Sequence, residues 1–293
     1  MLLPHFEFHA PKTRAEALEM LSGFGEKARI LAGGTDLLVN LKTGRDEAEE
    51  VVSLHRLEDL SGIELTGGGL KIGPLTVIAR LAARDDLGPA SFLADAAGKL
   101  GSPLIRNRAT LGGNIAASRP AADTAPPLMA LGAQVLLQSG EGQRTVELNG
   151  FFTGPGENVL KPGEMIGGFV IPPLPRGSGG GYEKLGARKA LEISIVNVAA
   201  FLSLSGDGAI KTARIVLGAV GPTPLRAKGA ENLILGERPK GPNDAIFHGA
   251  ASAAVGNACA IDDQRGTADY RCRMVEVLTK RALAKAYSQA VEG

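Results

Sequence analysis

Two pairs of adjacent glycines, Gly33-Gly34 and Gly112-Gly113, constrain this chain more than any other feature. Ala28 to Ala32 reads as a short apolar strand. It runs directly into Gly33-Gly34-Thr35-Asp36, and Leu37 to Lys42 then reads as a helix. A strand that ends in glycines and opens a helix exposes several backbone N–H groups. With the positive end of the helix, those donors suit a pyrophosphate. The pattern is neither a Walker loop nor a G-x-G-x-x-G fingerprint, so a plain strand-to-helix turn remains the alternative. The second pair lies in Arg106-Asn107-Arg108-Ala109-Thr110-Leu111-Gly112-Gly113-Asn114, and the same two readings apply. Two such turns in one domain favour a long diphosphate ligand more than either does alone.

Around these turns the chain alternates helices and strands. Thr13 and Glu16 form a capping box for a helix that Gly23 and Gly25 end. Val51 to Leu54 is a short strand. Ile63-Glu64-Leu65 and Leu70-Lys71-Ile72 flank a glycine turn and read as a hairpin. Pro74 and Thr76 open a helix through Leu81, and a second helix covers about Ala90 to Leu100. Pro120 to Leu131 reads as an apolar helix opened by Asp123. Gln134 to Gln138, Arg144 to Glu147 and Met165 to Ile171 read as strands.

Pro172 to Gly181 is the sharpest break in composition and is read as a domain boundary. Residues 1–176 and 177–293 are the expected domains. Beyond the break come strands at Tyr182 to Leu185, Val196 to Leu204 and Ala213 to Ala219. Helices follow at Ala227 to Leu235, Ala245 to Ala254 and Asp269 to Gln289. Strands followed by helices suggest an α+β arrangement.

Composition excludes several classes. Hydrophobic residues are 44% and charged residues 22% of the 293, ample for a buried core. Net charge is +1 with no basic block, and aromatics are only 4%, which argues against nucleic-acid binding. No run of about 18 apolar residues marks a membrane span, and the N-terminus lacks a signal-peptide layout. A cytoplasmic protein is expected. Cys259 and Cys272 cannot supply a four-thiolate site. Cys259 is expected to pack on a helix, and Cys272, among arginines, to be structural. His5, His9, His55 and His248 have no metal-ligand spacing. No metal site, catalytic nucleophile or acid–base pair is expected. Asp123 is either a helix N-cap or a carboxylate for a nucleotide ribose.

With these segments in hand, the sequence resembles the FAD-binding medium subunit of the molybdenum hydroxylases, the xanthine dehydrogenase and carbon monoxide dehydrogenase family. Ala32 to Leu38 is similar to the family's first flavin motif, and Arg106 to Ala116 to its second. Pro120-Ala121-Ala122-Asp123 follows at the family's distance. Gly163-Glu164-Met165-Ile166 and Tyr182-Glu183-Lys184 correspond to later flavin-contact segments. Pro222 to Ala227 and Asp269-Tyr270-Arg271 fit its C-terminal domain.

The resemblance implies an α+β fold: a two-lobed FAD-binding domain of the vanillyl-alcohol-oxidase-like (PCMH) type, then a small domain with a three-stranded sheet and helices. It implies that Arg29, Ile30, Leu31, Ala32, Gly33, Gly34, Thr35 and Asp36 wrap the FAD diphosphate. Thr110, Gly112, Gly113 and Asn114 add contacts, with Leu100 nearby. Asp123 holds the nucleotide part, Met165 and Ile166 pack on the cofactor, and Lys184 reaches the flavin. It also implies a large molybdopterin subunit and a small subunit with [2Fe-2S] clusters, assembled as a dimer of heterotrimers. NAD+ or another molecule would be the final electron acceptor. The competing reading is a stand-alone flavin oxidase of the same fold.

Overall fold

The structure, a computed structural model, describes residues 2–67, 69–188 and 191–293. The first lobe comprises β1 (Glu7–His9), α1 (Arg14–Phe24), β2 (Ala28–Leu31), α2 (Leu37–Thr43) and β3 (Glu50–Ser53). Thr13 caps α1 by accepting from the Glu16 N–H, and Gly25 ends it at φ 56°. The three strands form a parallel sheet in the order β1-β3-β2. Leu21, Val52, Leu54 and Leu57 form its core. β1 was not foreseen: three residues, mostly exposed, carry too little pattern to be read.

The second lobe begins with β4 (Ile63–Thr66) and β5 (Gly69–Ile72), the expected hairpin; Gly68 of its turn lies outside the described residues. Helices α3 (Ile78–Ala82), α4 (Ser91–Gly98), α5 (Pro103–Arg106), α6 (Leu111–Ala116) and α7 (Ala125–Ala130) follow. The lobe closes with β6 (Gln134–Ser139), β7 (Gly142–Glu147), β8 (Phe152–Gly154), β9 (Glu157–Asn158) and β10 (Met165–Ile171). Its antiparallel sheet runs β4-β5-β10-β6-β7. β10 enters where the lobes meet. Buried Met165 joins the first core, and its neighbour Ile166 joins the second, as strand alternation requires. The expected helix from Pro120 shortens to α7, whose N-cap is Thr124. Asp123 is therefore not a cap.

The last part is β11 (Ser178–Leu185), β12 (Val196–Leu204), β13 (Ile210–Gly218) and β14 (Leu225–Arg226), with α8 (Lys228–Ile234), α9 (Ala245–Val255) and α10 (Ala268–Glu292). The antiparallel sheet runs β11-β12-β13-β14, so a two-residue edge strand joins the three expected. β12 is buried on both faces. Ala199 and Phe201 enter the core of the second lobe, while Val198, Ala200 and Leu202 pack under α9 and α10. The glycine run read as part of a break is instead inside β11. A Cβ at Gly179 would stand 2.4 Å from the Ala286 carbonyl, and one at Gly181 2.3 Å from that of Ala282. These glycines let α10 lie directly on the strand. Cys259 lies beyond the end of α9 and is exposed rather than packed.

Candidate functional site

The two glycine turns meet along one cleft of about 910 Å3, at the upper end for ligand pockets. The first turn follows β2 at the carboxyl end of the parallel sheet, where open α/β sheets place ligands. Its Gly34 has φ 75°, a conformation that favours glycine. Gly33 is demanded by space: a Cβ there would stand 2.1 Å from the Arg108 carbonyl oxygen. The chain entering the second turn thus lies directly against the first.

The donors of the two turns differ. The N–H groups of Gly33, Gly34, Thr35 and Asp36 find no acceptor among the described residues. In the second turn, Leu111 donates to the Thr76 carbonyl (3.0 Å), Gly112 to that of Pro74 (2.8 Å) and Asn114 to that of Thr110 (2.9 Å). The Gly113 N–H donates to Thr110 Oγ1 at 3.1 Å, a side-chain cap for α6. The first turn alone presents a row of unpaired donors, the arrangement that holds phosphate oxygens.

Of the residues expected from sequence, Arg29, Ile30, Ala32, Gly33, Gly34, Thr35, Asp36, Leu100, Thr110, Gly112, Gly113, Asn114, Met165 and Ile166 line the cleft. The Arg29 guanidinium is committed to Asp46 (2.9 Å) and the Glu26 carbonyl (2.7 Å). Leu31 does not line the cleft; its side chain packs under Gly34. Asn114 Oδ1 accepts from Thr124 at 2.6 Å, which leaves its amide nitrogen for the cleft.

Asp123 and Lys184 are not in the lining. They form a buried ion pair of 2.8 Å just behind it. Asp123 also accepts from Tyr182 (2.8 Å) and Ser194 (2.7 Å). Lys184 donates in addition to the carbonyls of Lys99 (2.9 Å) and Glu192 (3.0 Å), so three acceptors surround its ammonium. A direct contact with a ligand would require this pair to open. Burial, and then the Asp123 charge, push the Tyr182 phenol well above its ordinary range, so it serves as a neutral donor. Lys99 lies 5.3 Å over the Tyr182 ring, and burial lowers its ammonium pKa.

Sequence reasoning missed Asn40, Arg45, Arg119, Asn158 and Lys161, which also line the cleft. None stands in a glycine motif. On the rim, Glu164 pairs with Arg144 at 2.7 Å, and that guanidinium holds its carboxyl below the usual range.

The residues fit an FAD. Four free N–H donors on the first turn, a second glycine turn packed directly against it and an apolar lining at Met165 and Ile166 suit a diphosphate joining two ring systems. None of His9, His55, Cys259 or Cys272 lines the cleft. Among the described residues, no cluster of His, Cys, Asp and Glu could hold a metal, and no helix is long and apolar enough to cross a membrane.

Comparison with known proteins agrees. Residues 4–174 match the family described as the FAD binding domain in molybdopterin dehydrogenase, and 182–286 match the CO dehydrogenase flavoprotein C-terminal domain. The chain is 34% identical to the carbon monoxide dehydrogenase medium chain of Hydrogenophaga pseudoflava, over 99% of both chains. It is 31% identical to the xanthine dehydrogenase FAD-binding subunit of Escherichia coli O157:H7, covering 97% of this chain and 96% of that one. Among solved structures, carbon monoxide dehydrogenase from Hydrogenophaga pseudoflava superposes with a TM-score of 0.93 at 34% identity, over 99% of each chain. Quinoline 2-oxidoreductase from Pseudomonas putida 86 does so at 0.90 and 27%, also over 99% of each. The unpaired donors, the two abutting glycine turns and these end-to-end likenesses lead to one conclusion: the chain belongs to the FAD-binding subunits of the molybdenum hydroxylases and is an oxidoreductase subunit.

Proposed function

We propose that this chain is the electron relay of a molybdenum hydroxylase complex. It takes electrons from [2Fe-2S] clusters on a small partner subunit and passes them to a terminal acceptor such as NAD+. A large molybdopterin subunit would oxidise the substrate. When bound, the FAD supplies the ability to accept and release electrons singly or in pairs; the chain supplies its place and surroundings. The observation that carries the reading is the row of free N–H groups from Gly33 to Asp36 facing a cleft between two lobes. Those donors hold the diphosphate. Thr110 and Asn114 contribute from the second turn, and Met165, Ile166 and Leu100 add apolar lining. Asp123 and Lys184 brace that side of the cleft through the Lys99 carbonyl and through Thr124 on Asn114. A dimer of such heterotrimers in the cytoplasm is the corresponding assembly.

The test is reconstitution. The FAD-loaded chain alone is mixed with purines, aldehydes or aromatic heterocycles, and flavin absorbance is followed. No bleaching is expected until molybdenum and iron–sulfur subunits are added. Substrate-dependent bleaching by the lone chain would establish a stand-alone flavin oxidase instead. The FAD is expected in the supernatant after acid denaturation.

A further inference from the structure

We propose that Arg119 binds the diphosphate of the dinucleotide, a cation placed beside the Gly33–Asp36 donors by the segment after the second turn. The proposal rests on the cleft reading above and adds a residue to it.

The first observation is local geometry. Ser118 sits at φ 47°, a conformation that non-glycine residues adopt at a cost. Hydrogen bonds hold it there. Its carbonyl accepts from the Gly156 N–H at 2.9 Å. Its hydroxyl accepts from Asn158 Nδ2 at 3.0 Å and donates to the Ile115 carbonyl at 3.2 Å. The strained residue reverses the chain, so that Arg119 reaches back to the first turn. Its Nη2 donates to Asn40 Oδ1 at 3.3 Å, and its Nε lies 3.8 Å from Asp36 Oδ1.

The second observation is charge. Asp36 carries both a free backbone donor and a carboxylate. A diphosphate bound to the turn would face that carboxylate, a repulsion the site must offset. Of the other acids lining the cleft, Asp46 and Glu164 are already matched by Arg29 and Arg144, and Glu26 is exposed. Arg119 is the guanidinium next to Asp36. Its separation of 3.8 Å is too long for a hydrogen bond. A guanidinium has five N–H donors in a planar fork, and Asn40 uses only one direction. The rest are open to phosphate oxygens. The side chain is about half exposed, 48%, so it can turn toward a ligand without opening the core.

The full-length chain is stripped of flavin and titrated with FAD at several salt concentrations. Arg119→Met should raise the Kd about 10- to 100-fold, the effect of a lost charge-assisted contact. It should also flatten the dependence of Kd on salt, because one charge no longer takes part. Arg119→Lys keeps the charge without the fork and should give an intermediate Kd with the original salt dependence. Asp36→Asn should tighten binding. The melting temperature of the flavin-free variants should stay at the wild-type value. An unchanged Kd in Arg119→Met would overturn the assignment. So would a weaker Kd with the wild-type salt dependence, since Arg119 would then only shape the wall. Wild-type FAD affinity in Gly33→Val would remove the cleft reading itself, a separate failure.

Discussion

The first and second glycine turns share a residue pattern and one cleft, yet their backbone donors go to different places. Gly33 to Asp36 keep four N–H groups unpaired, whereas the groups from Leu111 to Asn114 are all taken by Thr76, Pro74 and Thr110. Buried or half-buried N–H groups are rarely left without partners. A row of them therefore makes this turn the candidate for meeting a ligand. The second turn is held by the protein itself, and its Gly112 serves packing: a Cβ there would stand 2.7 Å from the Pro74 side chain. Similar motifs thus divide into one that keeps its backbone donors free and one that spends them on the protein.

Substitutions can break or sharpen that division. The largest effect belongs behind the second turn. Asp123→Ala strips Lys184, Tyr182 and Ser194 of their shared acceptor and should cost about 3–5 kcal/mol, as for a broken buried pair. Thermal unfolding of the flavin-free chain measures it. Loss of FAD affinity with unchanged stability would show that Asp123 acts on the ligand instead. Gly33→Val comes next. It forces the turns apart at the Arg108 carbonyl and should cut FAD affinity about 100-fold or more, roughly 3 kcal/mol of overpacking at the binding turn. Equilibrium titration with FAD is the assay.

Gly112→Ala should destabilise the chain by about 1–3 kcal/mol against Pro74, with FAD affinity falling only as stability falls. A large affinity loss at full stability would make the second turn a binding turn too. Gly113→Ala should change stability by less than about 1 kcal/mol. The gain from removing a helical glycine is offset by a 3.0 Å approach to Thr110 Oγ1. The smallest effect is on pH. Glu164, on the cleft rim, has its carboxyl lowered by Arg144. Its contribution is present above the ordinary carboxylate pKa of about 4.3 and is lost as pH falls through the lowered value. Melting temperatures between about pH 5 and pH 3 should therefore fall less steeply in Arg144→Met than in the wild type.

Local chemistry made most of the elements legible. Thr13 as a cap, the strand before Gly33 and the alternation of Met165 and Ile166 follow from short-range rules. The unread parts depend on distant chain. That Gly112 donates to Pro74 is a tertiary event, and no local pattern separates it from the free Gly33 N–H. Asp123 carried a sound N-cap signal, but Lys184 and Tyr182 from the last sheet captured its carboxylate. Gly179 to Gly181 looked like a linker because a strand that admits a helix backbone and a linker call for the same residue. Arg119 was invisible because its aim depends on the left-handed Ser118, which serine does not announce.

The sheet shared between two cores has a consequence for how the molecule comes apart. Phe201 of β12 and Tyr182 of the neighbouring β11 belong to the core of the FAD-binding part, while Leu202 and Val198, on the same strand as Phe201, belong to the core beneath α10. Neither core can lose this sheet and remain closed. The two family-defined regions should therefore melt in a single cooperative transition, and a fragment ending near residue 176 should stay molten, with far-ultraviolet dichroism but no sharp thermal transition.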